Sequence, residues 1–301
     1  MSGRFGSVLT AMVTPFDAEG RVDLDAAARL ARWLEANGND GLVVTGTTGE
    51  ASTLSDDEKR DMWRAVSEAV SIPVVAGSGS NDTAHSVELT ADAEACGASG
   101  VLIVAPYYNR PSQAGIEAHV RACAEATSLP VLIYDIPVRT GRKVATETLL
   151  RLARDVPNVV GVKDAAGNPG ETARLLATAP GGFECYSGDD NMTLPLLAVG
   201  AVGVIGVATH WSGVEHGEMV RAFAKGDVVG AREVNARLLE SFAFETGDEA
   251  PNPIPTKAMM RVLGHAVGQC RLPMGDAPEW VEPKARQVLA NLRRLDDPTA
   301  S

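Results

Sequence analysis

Lys163 closes the run "NVVGVKDAAG", residues 158–167, whose apolar and β-branched residues suggest a strand buried on both faces. A charged ammonium is costly to bury. Two readings follow. In one, Lys163 sits at a strand end and carries its head to water along an aliphatic stem. In the other, the site wants the amine uncharged. Full burial lowers a lysine pKa by up to ~3–5 units and leaves a nucleophile able to attack a carbonyl.

Other polar residues cluster at comparable places. "TGTTGE" sets Thr47 and Thr48 between Gly46 and Gly49. Glycines let a ligand approach the backbone, and hydroxyls with free N–H groups suit a carboxylate or phosphate. The plainer reading is a tight turn capping the next helix. "APYYNRPS" presents Tyr107 and Tyr108, as suited to packing or an interface as to chemistry. In "YDIPVRTG", Tyr134 shares a strand face with Leu132 and Ile136, which directs it inward. Arg139, five residues on, can grip a carboxylate with its planar fork. Lys163 itself is expected to share a face with Val159 and Gly161. A lysine facing two threonines, two tyrosines and an arginine is better read as functional than as snorkelling. With no metal set and no nucleotide loop, the lysine must supply the electron sink. That is Schiff-base chemistry on a keto substrate, with no external cofactor.

The elements that would position these residues are legible. Eight runs rich in Val, Ile and Leu recur: "SVLTAMVTPF", "GLVVTG", "PVVAGSG", "GVLIVAPYY", "PVLIYDIP", "VVGVKDAA", "FECYSGDD" and "GVIGVAT". Their starts fall about 28 residues apart, with helical periodicity between them. "DLDAAARLARWLEANG" carries Leu24, Ala27, Leu30, Ala31 and Leu34 on one stripe, with Gly38 as a stop. Ser55 and Glu58 form a capping-box pattern before the next helix. Eight apolar strands, each followed by a helix, predict an α/β fold: a (β/α)8 barrel over residues 1–226. Chemistry in such barrels gathers at the C-terminal ends of the strands. An open doubly wound sheet would place a Gly-rich phosphate loop after its first strand, and "TPFDAEG" stands there instead. Residues 227–301 read as a C-terminal helical domain built from "DVVGAREVNARLLESFAF", "IPTKAMMRVLGHAV" and "PEWVEPKARQVLANLRRL".

Composition removes other classes of function. A net charge of −12 with no basic arm argues against nucleic acid or an anionic membrane as partner. The longest apolar run, residues 194–208, is too short and Gly-punctuated to span a bilayer and reads as a helix end followed by a strand. The N-terminus lacks the pattern of a signal peptide, so a cytoplasmic location is expected. Cys96, Cys123, Cys185 and Cys270 lie far apart without C-x-x-C, and the five histidines show no close pairing, so neither disulfides nor a metal site is expected.

Taken in order, "GTTGE", "PYYNRP", "YDIPVRTG", "GVKDA", "SGDD", "GVIGV", "PNPIPTK" and "RLPM" resemble the dihydrodipicolinate synthase family. That family belongs to the pyruvate-dependent class I aldolase and lyase superfamily. The resemblance runs over nearly the whole chain. It implies condensation of pyruvate with L-aspartate 4-semialdehyde on the diaminopimelate and lysine route. By that resemblance Lys163 forms the imine with pyruvate. Thr48 and the backbone at Ile205 hold the pyruvate carboxylate. Tyr134 moves protons in a relay with Thr47 and Tyr108, and Tyr108 reaches into a neighbouring subunit. Arg139 binds the carboxylate of the semialdehyde, while Gly188 and Asn252 stand near the substrate or support it. A homotetramer built as a dimer of dimers is implied too.

Departures from the family pattern matter as well. Lysine-inhibited members carry two histidines and a glutamate where this chain has Asp56, Lys59 and His85, although Asn81 and Tyr107 match. Weak or absent feedback by L-lysine is therefore expected. Rival readings are a sister lyase, such as N-acetylneuraminate lyase or a 2-keto-3-deoxy sugar acid aldolase, and a non-catalytic pyruvate sensor. Arg139 and the second threonine of "GTTGE" weigh against the first, and the full set Thr47, Tyr108, Tyr134 and Lys163 against the second.

Overall fold

The computed structural model describes residues 3–295; residues 296–301, the end of the expected helical domain, lie outside the described residues. Strands and helices alternate from the start. They run β1 (Val8–Ala11), α1 (Leu24–Ala36), β2 (Gly41–Val44), α2 (Asp56–Ala69), β3 (Val74–Gly77) and α3 (Thr83–Ala95). Next come β4 (Gly100–Val104), α4 (Gln113–Glu125), β5 (Val131–Asp135), the short α5 (Pro137–Thr140) and α6 (Thr146–Asp155). Then follow β6 (Val159–Asp164), α7 (Pro169–Thr178), β7 (Glu184–Ser187), α8 (Thr193–Leu197), β8 (Gly203–Gly206) and α9 (Thr209–Ala224). All strands are parallel, in sequence order, and β8 closes on β1. The expected (β/α)8 barrel is the fold.

Each strand is apolar on both faces because each is covered twice. Leu9, Val43, Val75, Leu102, Leu132 and Ile205 fill the barrel interior. Val44, Val74, Ile103, Ile133, Val162 and Cys185 face outward into the layer beneath the helices. The helices begin and end where their local chemistry dictates. The Ser55 hydroxyl accepts from the Glu58 N–H at 3.2 Å, and the Glu58 carboxylate accepts from the Ser55 N–H at 2.9 Å, completing the capping box. Leu30, Ala31 and Leu34 are buried on the stripe of α1. Gly38 then turns the chain at φ +88°, pressed so closely on Gly213 and Val214 that a side chain would collide.

The structure corrects one expectation about β6. Val131 pairs with Val159, but Leu132 pairs with Gly161, so β6 carries an extra residue there. Such an irregularity flips the alternation on its N-terminal side. Val159 accordingly packs outside, and Val160 takes its place against the interior. Lys163 keeps its inward aim, directly opposite Tyr134.

Beyond α9 the chain forms α10 (Val228–Phe244), α11 (Ile254–Val262) and α12 (Val281–Leu295). The helix expected to run to residue 267 stops at Val262, because Gly264 adopts φ +92° and the chain reverses. Among the described residues no helix is long and apolar enough to cross a membrane.

A buried ion pair ties this helical segment to the barrel. Glu50, at the end of the loop that follows β2, lies 2.6 Å from Lys257 of α11. Lys257 is fully buried, donates to the Gln269 carbonyl at 3.0 Å and sits 3.9 Å above the Phe16 ring. The second Glu50 oxygen accepts from the Arg271 N–H at 2.9 Å. Removing one member of such a pair strands the other charge in a dry interior. Lys257→Met should therefore lower unfolding free energy by about 3–5 kcal/mol, read from urea denaturation at neutral pH. A loss below about 1 kcal/mol would place the pair among contacts worth no more than a surface bridge.

Candidate active site

The site assembles at the C-terminal mouth of the barrel around Lys163. Its side chain, 4% exposed, rises from β6 with Nζ 4.3 Å above the centre of the Tyr134 ring. Burial pulls its pKa down to about 8, against the pull of Asp190, while the positive charge of Arg139 adds to the lowering. The stem is confined as well. Gly188 follows β7 and donates its N–H to the Asp164 carbonyl at 2.7 Å. A β-carbon on Gly188 would come within 3.0 Å of Lys163 Cγ and of Ala165 Cβ. Glycine is what allows the "SGDD" turn to pass beside the lysine.

Tyr134 is buried at the end of β5, and desolvation pushes its phenol well above the usual tyrosine value, with Arg139 opposing. The phenol stays protonated at any working pH and enters chemistry as a donor. Thr48 is buried and accepts from Asn252 Nδ2 at 2.8 Å. Asn252 in turn accepts from the Thr256 hydroxyl at 3.0 Å, so the segment before α11 orients a side chain of the loop after β2. Ile205 fills the interior with its side chain and leaves its backbone at the end of β8.

Thr47 and Arg139 stand on the exposed rim, Arg139 in the short α5. Tyr107 is half-buried beside it in sequence, but Tyr108 is 90% exposed at φ +70°. A residue of that size rarely takes a left-handed conformation without a surrounding reason.

A group of buried acids lies behind the lysine that was not foreseen. Asp190, 1% exposed, accepts from the Val207 N–H at 2.7 Å. Glu245, at the end of α10, accepts from the Ala208 N–H at 3.1 Å. Val207 and Ala208 are successive residues, so their N–H groups set the two carboxyl groups side by side. His216 Nε2 stands 3.3 Å from Asp190 Oδ1, off the line of a hydrogen bond. Burial raises Asp190, but His216 and the Val207 N–H outweigh it and hold that carboxyl below its usual range. Burial, reinforced by Asp190, drives Glu245 well above its own. The only hint in the sequence was "SGDD"; Glu245 and His216 carried none.

Residues 4–292 match the Dihydrodipicolinate synthetase family. The 4-hydroxy-tetrahydrodipicolinate synthase of Moorella thermoacetica is 48% identical over 290 residues, covering 95% of this chain and 98% of its own. That of Acidothermus cellulolyticus is 49% identical over 290 residues, covering 95% and 92%. A solved structure of DHDPS from Cyanidioschyzon merolae with lysine bound superposes with a TM-score of 0.94 at 41% identity, over 97% of this chain and 99% of that one. Nearly every residue of the barrel and its helical extension is thus accounted for by relatives of one kind, and the chain belongs to the dihydrodipicolinate synthetase family.

Proposed function

We propose that the chain is a 4-hydroxy-tetrahydrodipicolinate synthase, a lyase that joins pyruvate to L-aspartate 4-semialdehyde through an imine on Lys163. The observation that carries this reading is the dry amine at the end of β6, its pKa pulled to about 8 and its Nζ against the Tyr134 ring. A neutral amine attacks the keto carbon of pyruvate, and the resulting carbinolamine sheds its oxygen as water. Tyr134, held protonated by burial, is the donor to that leaving oxygen. Its proton is replaced through Thr47 and Tyr108, hydroxyls able both to donate and to accept. The imine loses a methyl proton to give an enamine, which attacks the aldehyde carbon. The substrate's own amine then displaces Lys163, and the ring closes.

Thr48, oriented by Asn252, and the backbone at Ile205 are proposed to hold the pyruvate carboxylate, with Gly188 keeping the lysine stem in line. Arg139 is proposed to take the carboxylate of the semialdehyde. Tyr108 is proposed to complete the site of a neighbouring subunit in a homotetramer; its 90% exposure at a left-handed backbone supports that role. Residues 1–226 form the catalytic barrel in this reading and 227–301 the helical domain of a cytoplasmic enzyme.

Borohydride treatment with pyruvate should fix a three-carbon adduct on the Lys163 peptide, seen by mass spectrometry, while pyruvate-free protein stays unmodified. An adduct elsewhere, or none, ends the reading. Because the neutral amine is the reactive form, the trapping rate should climb about tenfold per pH unit below about 8 and level off above it. A rate still climbing at pH 9.5 would mean that the amine retains its ordinary basicity. Arg139→Leu should raise KM for the semialdehyde by about tenfold or more, through loss of a charge-assisted fork, with KM for pyruvate little changed. Equal effects on both substrates would remove Arg139 from the second-substrate site. Feedback is expected to be weak: Asp56 already pairs with His85 at 2.8 Å and with the buried Lys59 at 3.3 Å. Inhibition by sub-millimolar L-lysine in a steady-state assay would refute that expectation.

A further inference from the structure

Arg139 lies near the middle of an excursion that leaves the barrel at the end of β5 and returns to the buried interior at Val144. Inside it the backbone follows local rules. Pro137 opens α5, the Ile136 carbonyl accepts from the N–H groups of Arg139 and Thr140 at 3.0 Å each, and Gly141 ends the turn at φ +71°. A single helical turn is too short to hold itself in place on a surface. Arg139 is exposed there, so the aim of its guanidinium depends on what holds the two ends of the excursion.

Asp135 holds them. Its buried carboxylate accepts from the Lys143 ammonium at 2.9 Å and from the Val144 N–H at 3.0 Å, so one side chain at the entry grips two residues at the exit. Lys143 also reaches Glu171, in the first turn of α7, at 3.3 Å. Gln113 of α4 reinforces the exit: its amide donates to the Lys143 carbonyl at 2.8 Å and accepts from the Ala145 N–H at 2.9 Å. A plainer reading is charge neutralisation alone. Asp135 stands opposite Asp164 in the ladder, one rung beyond Tyr134 and Lys163, and two carboxylates so placed repel. Asp164, however, is met by the Ala166 N–H at 2.9 Å and the Thr172 hydroxyl at 2.6 Å, neither of them from the excursion. A cation for Asp135 could come from any neighbouring element. Here it comes from the far end of the segment that carries Arg139.

We propose that Asp135 and Lys143 form a clasp that positions Arg139 for the carboxylate of the second substrate. Both are positioning residues and touch no reacting atom. The clasp closes the loop before substrate arrives, so the loop is ordered during folding and not at binding. The planar fork of Arg139 then meets a carboxylate at a set distance and tilt. The groups assigned to pyruvate stand elsewhere, on β6, on β8 and in the loop after β2, and do not depend on the excursion. The inference rests on the role given to Arg139 above and deepens it, by naming what aims the arginine and which substrate would sense its loss.

Lys143→Met opens the clasp, and Lys143→Arg keeps a cation within reach of Asp135. KM for the semialdehyde is measured at saturating pyruvate, and the half-saturating pyruvate concentration by borohydride trapping, on the same purified full-length proteins. Lys143→Met should raise the first about fivefold or more and move the second by less than about twofold, while Lys143→Arg should hold both within about twofold of the parent. In an Arg139→Leu background, Lys143→Met should add less than about twofold, because the residue it positions is gone. A full multiplicative effect there, or equal rises in both constants, overturns the proposal. Where Lys143→Met fails to fold, Asp135→Asn decides, since it keeps an acceptor for the Val144 N–H and strands no buried charge. A rise confined to the semialdehyde supports the clasp, and no rise overturns it. If Arg139→Leu leaves KM for the semialdehyde unchanged, the reading of Arg139 has failed and the clasp falls with it. If Arg139→Leu raises that KM and Lys143→Met does not, the clasp alone is overturned.

Discussion

Holding an ammonium group away from water costs several kcal/mol unless something offsets it, and that constraint shapes both ends of this molecule. Lys59, Lys163 and Lys257 are buried, and the last two are treated in opposite ways. Lys257 is met at 2.6 Å by Glu50 and also donates to a carbonyl, so its ammonium is paired, and Glu50 opposes the lowering of its pKa by burial. Lys163 rests at 4.3 Å on an aromatic ring, with its countercharges at one remove. The first arrangement fastens two parts of the chain together. The second leaves a site where neutrality is the easier state, and a neutral amine is what a keto acid can react with.

The fastening and the chemistry share one loop. The segment after β2 presents Thr47 and Thr48 and then ends in Glu50 at φ +56°. That conformation is unfavourable for glutamate, and the ion pair with Lys257, together with the Arg271 N–H, holds it. Thr48 is held again by Asn252, two residues ahead of α11. The helical segment therefore reaches into the mouth of the barrel twice through this loop, and once more through Glu245 at the end of β8. Its helices cover the barrel and also orient its contents.

Much of this was legible in the sequence, for reasons that can be named. The eight strands are short apolar runs at regular spacing, which few other folds produce. The capping box and the Gly38 stop depend on residues within a few positions of each other. Tyr134 and Lys163 were placed inward by period-two alternation, and they stand opposite one another in the ladder. The same alternation misplaced Val159, because the extra residue in β6 carries no mark in a run of valines and a glycine. What escaped altogether was long-range pairing. Glu50 with Lys257, Thr48 with Asn252, and Asp190 with Glu245 join residues far apart in the chain, and no local pattern announces them.

Those long-range pairs explain why the helical segment cannot be regarded as a detachable domain, whatever its separate secondary structure suggests. A barrel alone would still present Lys163 on β6 and Tyr134 on β5. It would lack the partner of Glu50, the donor to Thr48 and the second carboxyl beside Asp190. Each missing group would leave a buried polar atom unpaired, at about 1–3 kcal/mol for a neutral group and more for a charged one. The mouth would relax toward water to satisfy them. Water at the mouth would let Lys163 regain its proton, since desolvation is the largest influence that lowers its basicity. The reactivity of one amine thus depends on contacts made by residues some ninety positions further along the chain, and the fold supplies dryness as much as it supplies position.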